Sequence, residues 1–563
     1  MKKLFLSLLL CGFQLIAQQD LPVDYFSSPL DIRLILSGNF GELRSNHFHS
    51  GLDIKTQQQR GLPIYAPADG EVRRIKVGHY GYGKALYLRH PNGYHTVYAH
   101  LQKYAGAIQE YVKKHQYEKE TYEIELFPEP GVLSVQKGEI IGYTGNSGSS
   151  GGPHLHFEIR DASSRPMNPM LFGIDIPDSR DPIVNTIIAY PQGPDAQVNG
   201  SQNPVKLRII KQKDGSYRAE NTEAFGKIGF GVSTNDQHDG ASNKNGVYTM
   251  VASFNGSEIF KARFDKFSFA ETRYLNRFID YAYYKNHKSR VQKLFRESNN
   301  PLSVITQDVN NGFIEIEDRF DSVYTIEIKD FRGNTVKVTV PINGKKSEIT
   351  DQKLKGESID YVYADQGNSI TKGKFGVYIP SGSLYEDTYL QIESAGDTLH
   401  LHDDVVPLHK NITISLDVSN YTKEDRRSLY IGRKRYKGSP SYYTTYRDGS
   451  KLTARTRTFG TYVLARDTTP PEITPVNFQD GKWISKNETL ELKIEDEISG
   501  VSSYRATING KFILTEYDYK KDVLVYDFDD DIIAETEQNL KVIVVDNVGN
   551  SATFEATFYR KPL

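Results

Sequence analysis

In the stretch SSGGPHLHFEIR, residues 149–160, a glycine-rich loop gives way to strict alternation: His154, His156 and Glu158 fall on one register, Leu155, Phe157 and Ile159 on the other. A repeat of two is the period of a β-strand, so one face is read as packing while the other carries imidazoles. Upstream, KALYLRHPNGYHTVYAHL places Asn92-Gly93 between two alternating runs, and PIYAPADGEVRRIKVG places Asp69-Gly70 between two apolar ones. Both dipeptides supply the backbone conformations of tight hairpin turns, so they predict an antiparallel sheet over about residues 30–175.

A chain of 563 residues exceeds what a single core can hold, and its 45 glycines, 12% aromatics, 4 Met and 1 Trp suit a mainly β, turn-rich protein of several domains, each burying its own core. Its 69 basic and 71 acidic residues give a net charge of −2 without long like-charge runs, which argues against nucleic-acid binding and against an anionic membrane surface. The start, MKKLFLSLLLCGFQLIAQQD, has two lysines, an apolar run from Leu4 to about Ile16, and Ala17 before a polar stretch. This is read as a signal peptide over residues 1–17, too short for a good membrane span, and no later run reaches transmembrane length. Cys11 follows Leu10 where a lipobox needs a small residue, so a lipoprotein reading is set aside. Cleavage near Ala17 leaves a mature chain without cysteine, which excludes disulfides and thiolate ligands; a metal site must use His, Asp, Glu or Asn.

Between His100 and Val132 the alternation lapses into a charged, helix-compatible segment, read as an insertion beside the sheet at about residues 102–131. Beyond residue 175 an internal repeat appears: DSRDPIV (178–184) resembles DTTPPEI (467–473), DQHDG (236–240) resembles DEISG (496–500), and DFRGNTVKVTV (330–340) resembles DNVGNSATFEA (546–556). The order is the same in both copies, which predicts two immunoglobulin-like β-sandwiches at 178–345 and 467–563, the first with a helical insertion around Glu271–Glu297. Another β-rich block occupies 346–466.

Nine of the 14 histidines lie between His47 and His156. HFHSGLDI supplies His49 and Asp53 at an H-x-x-x-D spacing, VYAHL supplies His100 at the end of a hairpin strand, and HLHFE supplies His154 and His156. A catalytic zinc takes three nitrogen or oxygen ligands and keeps one open position. His49, Asp53 and one histidine of the pair can supply the three, leaving the other and His100 as unligated imidazoles suited to acid/base work or oxyanion stabilisation. LHLHDD repeats the H-x-H spacing at His400 and His402 without a partner motif or a glycine-rich lead-in, and is read as a surface strand.

HFHSGLDI, PIYAPADGEV, GYGKALYLRHPNGYHTVYAHL, QKGEIIGYTGNSGSSGGPHLHFEIR and RPMNP, in that order over roughly residues 38–172, resemble the lysostaphin/LytM-type zinc metallopeptidases that cut peptide cross-links in bacterial cell walls. The resemblance implies an antiparallel β-sheet metallopeptidase domain at 18–177, Zn2+ held by His49, Asp53 and His156, and His154 and His100 as catalytic imidazoles, with the split between base and oxyanion stabiliser left open. It further implies a zinc metalloendopeptidase acting on peptidoglycan stem peptides or cross-links; the signal peptide places it outside the cytoplasm, in the periplasm or at the cell surface, and the C-terminal β domains are read as surfaces for cell-envelope protein partners. The alternatives are a non-catalytic wall-binding or amidase-activating relative, or an adhesive scaffold with an accessory peptidase; retention of all five polar positions favours catalysis. His47 lacks the four-residue step to Asp53 and is read as outside the ligand set, Glu158 is read as either orienting a ligand or solvated, and His79, His90, His95 and His115 have no motif support.

Overall fold

The computed structural model describes residues 21–352, 360–530, 532 and 535–561; the expected signal peptide lies outside them. The first domain is built from β1 (Leu36–Gly38), β2 (Leu52–Lys55), β3 (Pro63–Tyr65), β4 (Gly70–Val77), β5 (Ala85–Arg89), β6 (His95–Ala99), β7 (Lys103–Tyr104), α1 (Gly106–Glu118), β8 (Ile124–Leu126), β9 (Ser134–Val135), β10 (Ile140–Tyr143), β11 (His154–Arg160) and β12 (Pro166–Met167). The main sheet runs β1-β2-β11-β6-β5-β4-β8, with β12 on β11 and β9 on β4; a second, smaller sheet runs β3-β10-β7. All pairs in both sheets are antiparallel.

Asn92-Gly93 turns the β5–β6 hairpin as expected, with Gly93 at φ 85°. Asp69-Gly70 does not make one. β3 pairs with β10 in the small sheet, whereas β4 pairs with β5, β8 and β9, so the dipeptide connects two sheets rather than two partners. Asp69 is used instead as an acceptor, its carboxylate taking the Lys137 amide at 2.8 Å and its carbonyl the His90 ring at 2.8 Å. The segment after His100 forms α1 and then β8, which extends the far edge of the main sheet.

Residues 183–344 form a 13-stranded assembly in which the long strand Thr222–Asn235 belongs to two layers. Its residues 228–235 pair antiparallel with Ile183–Pro191, while 222–224 pair in parallel with 342–344. Gly226, at φ 76°, lies between these stretches and allows the strand to change layers, as corners of β-sandwiches do. Short helices at Leu275–Phe278 and Tyr281–His287 occupy the expected insertion. Two five-stranded sheets enclose a core between Val362 and Tyr462, and two four-stranded sheets enclose another between Phe478 and Phe558.

Separate cores are not found at the first boundary. One buried cluster runs from Phe26 through the main sheet of the first domain to Ile342. Phe40 stacks on Phe267 at 5.1 Å, and Phe48 packs against Phe264 and Phe267 at 5.8 and 5.4 Å. Such ring pairs contribute roughly 0.5–1.5 kcal/mol each beyond area burial. The loop that carries His49 is therefore anchored from outside its own sheet.

Candidate active site

β11 lies between β2 and β6, and its register decides the site: His156 sits opposite Asp53 on one side and Ala99 on the other. Directly opposed residues of an antiparallel pair project to the same face, so Asp53 and His156 meet. His49 reaches them from the loop before β2. The three candidate donors form a tight triangle: His49 Nε2 is 3.0 Å from Asp53 Oδ1 and 3.1 Å from His156 Nδ1, which is 2.9 Å from the same carboxylate oxygen. Ligands at ~2.0–2.1 Å from a tetrahedral zinc stand roughly 3.3 Å apart, so one ion fits among these atoms.

Hydrogen bonds at the far side of each ring set the proton positions. His49 Nδ1 donates to the Asn39 carbonyl at 2.7 Å, and His156 Nε2 donates to Glu158 Oε1 at 2.8 Å. Both rings thus turn their second nitrogen toward Asp53, the nitrogen that would bind a metal on losing its proton. Arg44 takes the other Asp53 oxygen at 2.9 Å, leaving Oδ1 for the site. Burial opposes ionisation of Asp53, yet His49, His154 and His156 hold its carboxyl well below the usual range. Burial likewise opposes a charged His156, but the Asp53 and Glu158 carboxylates push it up to about 9. The pocket draws positive charge.

His154 and His100 lie beside this triangle, their rings 4.8 Å apart. His154 Nδ1 donates to the Gly152 carbonyl at 2.9 Å, leaving Nε2 3.4 Å from Asp53 Oδ1. His100 follows β6 with φ 62°, a left-handed conformation uncommon for a residue other than glycine. Its Nδ1 donates to the Ser147 carbonyl at 2.9 Å, and burial with the neighbouring His154 and His156 pushes its pKa down to about 3. Its Nε2 is therefore a neutral acceptor. All five residues expected to carry the site come together.

Glu158 proves to be fully buried, which removes the solvated reading. Besides His156 it accepts from Ser50 at 2.8 Å, from Tyr82, and from Arg160 at 2.6 Å. Burial raises a carboxyl, yet Arg160 and His156 hold Glu158 below its ordinary value. Ser50, Tyr82, Arg160, Arg44 and Asn39 were not singled out from the sequence. Arg160 continues the β11 alternation from Glu158, the one signal that marks it. His47 is exposed and bonded to the Ser45 carbonyl, outside the triangle. Of the loop glycines, Gly145 and Gly148 are required by packing, since a Cβ would lie 2.3 Å from the Gln102 and Gly83 amides, whereas Gly151 and Gly152 face open space.

The last β domain is fastened beside this site. Lys520 Nζ bonds the Asn146 carbonyl at 2.7 Å, Tyr519 donates to the Gly148 carbonyl at 3.3 Å, and Lys84 pairs with Glu516 at 2.6 Å around a cavity of about 290 Å³. The insertion adds to that contact through Lys113, Tyr117 and Glu120. It serves as a platform for the last domain, next to the loop that holds His100.

An antiparallel sheet that sets two imidazoles and a carboxylate around one point, with two further imidazoles beside it, has the build of a metallopeptidase. Residues 47–117 and 133–169 match the model of Peptidase family M23, and residues 359–467 match that of the Zu5-like domain. The chain thus carries an M23 peptidase domain, with the match interrupted between residues 117 and 133. DD-carboxypeptidase/endopeptidase Mpg of Neisseria meningitidis is 33% identical over 136 residues, 24% of this chain and 25% of that protein. Peptidoglycan DD-endopeptidase ShyA of Vibrio cholerae is 31% identical over 157 residues, 27% of this chain and 30% of that protein. The chain therefore spans less than a third of the length of either relative. The catalytic domain of lysostaphin from Staphylococcus simulans is 24% identical, covering 24% of this chain and 90% of that domain with a TM-score of 0.18.

Proposed function

We propose that the chain is an exported, zinc-dependent endopeptidase that hydrolyses peptide bonds in peptidoglycan stem peptides or cross-links, at the cell surface or in the periplasm. The observation that carries this reading is the convergence of His49 Nε2, Asp53 Oδ1 and His156 Nδ1 beside the imidazoles of His154 and His100. His49, Asp53 and His156 would hold the zinc, which supplies Lewis acidity toward a carbonyl and toward water. The rings of His154 and His100, each with Nδ1 committed to a backbone carbonyl, keep Nε2 for the reaction. One accepts the proton of the attacking water and returns it to the leaving amine as the C–N bond breaks; the other lies beside the carbonyl oxygen as charge gathers there. The names of the Neisseria and Vibrio relatives favour a wall peptide over a folded protein as substrate. Among the described residues no helix is long and apolar enough to cross a membrane.

The test is digestion of defined muropeptides by the full chain, with products read by mass spectrometry. Cleavage that requires zinc and is lost in His154→Ala supports the reading; a His154→Ala chain that digests wall peptides normally overturns the role given to that ring.

A further inference from the structure

The internal repeat brings its acidic positions together in both copies, and the two clusters differ. In the last domain Asp467, Asp496 and Asp546 converge, but each already accepts backbone amides. Asp467 accepts from the Thr469 and Ser499 amides at 3.0 and 3.1 Å, Asp496 from the Ser499 and Gly500 amides at 2.8 and 2.6 Å, and Asp546 from the Val548, Gly549 and Asn550 amides at 2.6–2.9 Å. In the domain after the peptidase, Asp330 does the same turn-building work as Asp546, accepting from the Gly333 and Asn334 amides at 2.7 and 2.9 Å. Asp178 Oδ1 accepts the Arg180 amide at 3.1 Å, as Asp467 accepts that of Thr469, but Asp178 Oδ2 and both oxygens of Asp236 take no such part.

Asp236 is 0% exposed, and neither of its carboxylate oxygens has a hydrogen-bond partner. Asp178 Oδ2 and His238 Nδ1 are also buried without partners. His238 Nε2 lies 3.3 Å from Asp236 Oδ2 and 3.9 Å from Asp178 Oδ2, and the donor atoms of the three residues lie within 4.8 Å of one another. Among the described residues no lysine or arginine pairs with either carboxylate. Buried carboxylates are ordinarily paired or coordinate metal, because an uncompensated charge in the interior is costly. Asn245, joined to Asp236 by backbone hydrogen bonds of 2.8 and 2.9 Å across an antiparallel bridge, projects to the same face with both side-chain polar atoms buried and unpartnered. The last domain places Ile498 where this one has His238, so the nitrogen donor is a feature of the first copy alone.

We propose that Asp178, Asp236 and His238 bind a second divalent ion, of the zinc class. Two carboxylates match its charge, and the imidazole selects a borderline transition metal over calcium or magnesium. Asp178 lies on the link that leaves the peptidase domain, and the turn after His238 leans on it, since a Cβ on Gly240 would lie 3.3 Å from Ile35. The ion thus ties the domain link to the β-sandwich.

The full chain, stripped with EDTA and reloaded with zinc, is desalted and its metal counted. Two equivalents are expected for the wild type, one for Asp236→Asn, one for His49→Ala and none for the double variant. Two equivalents in Asp236→Asn, or a wild-type content that vanishes in His49→Ala, overturns the proposal. One equivalent in the wild type that survives His49→Ala and is lost in Asp236→Asn supports it while removing zinc from the catalytic reading. Thermal unfolding adds a second arm with His238→Ile, the residue the other copy carries. Zinc raises the Tm of His49→Ala and leaves that of His49→Ala/His238→Ile unmoved; an equal rise in both counts against the site.

Discussion

His154 and His156 on β11 share their spacing with His400 and His402 at the end of the strand Thr398–Leu401, but what lies opposite differs. His156 faces Asp53 across the sheet, and the alternation of β11 holds through both histidines. His400 faces Thr461 and Glu393, and its strand stops at Leu401. His402 then turns into the left-handed region at φ 52°, with its ring accepting from the Gln391 amide at 3.2 Å. The second pair is thus split, one ring on the strand and one past it. His400 already has the carboxylate of Glu393 opposite it, so what separates the two pairs is whether the strand continues through both histidines and keeps them on one face.

Five substitutions break or sharpen that comparison. His49→Ala or Asp53→Ala removes a donor from the triangle; metal at that site falls to none and wall cleavage to background, measured by metal analysis and muropeptide turnover. His154→Ala leaves the triangle intact, so metal content stays and the turnover number falls by about 10²–10⁴-fold, as for loss of an acid/base group. Glu158→Gln keeps an acceptor for His156 Nε2 but removes the charge behind it, and zinc affinity drops by roughly 10–100-fold in competition with a chelator. At the other pair, Thr461→Asp adds a second carboxylate opposite His400, across from Glu393, and leaves metal content unchanged, because His402 has left that face. Zinc uptake by this last variant would show that spacing and a carboxylate suffice without the strand.

The shared core bears on how the peptidase domain can be studied. Phe40 and Phe48, which flank the Asn39 acceptor and the His49 donor, pack on Phe264, Phe267 and Phe278 from the next domain. Phe48 also donates its amide to Thr272 at 2.8 Å. A piece ending at residue 178 exposes these rings and loosens the loop that carries His49; assays belong on the full chain.

The residues of the candidate site were readable because their chemistry is local: H-x-x-x-D, a histidine closing a hairpin strand, and H-x-H after a glycine loop each sit within a few residues. Their surroundings were less so. Glu158 could be read as solvated because alternation marks a face without saying what covers it, and the cover comes from Ser50, Tyr82 and Arg160 on other segments. The Asp69-Gly70 reading failed for a related reason. A turn-forming dipeptide is a local preference, while the choice of β10 as the partner of β3 depends on residues some 75 positions away.

The sequence alone determined the periodicities, the turn at Asn92-Gly93, the stock of nitrogen and oxygen donors and the two copies of an acidic framework. These follow from bonded geometry and composition, which act over a few residues. Only the tertiary structure decided that β11 lies between β2 and β6 in a register that sets His156 against Asp53. It also decided that the acids of one copy are met by backbone amides while Asp236 of the other is left without a donor. Both outcomes depend on which distant strands pair, and that is set by burial of apolar faces summed over the whole chain.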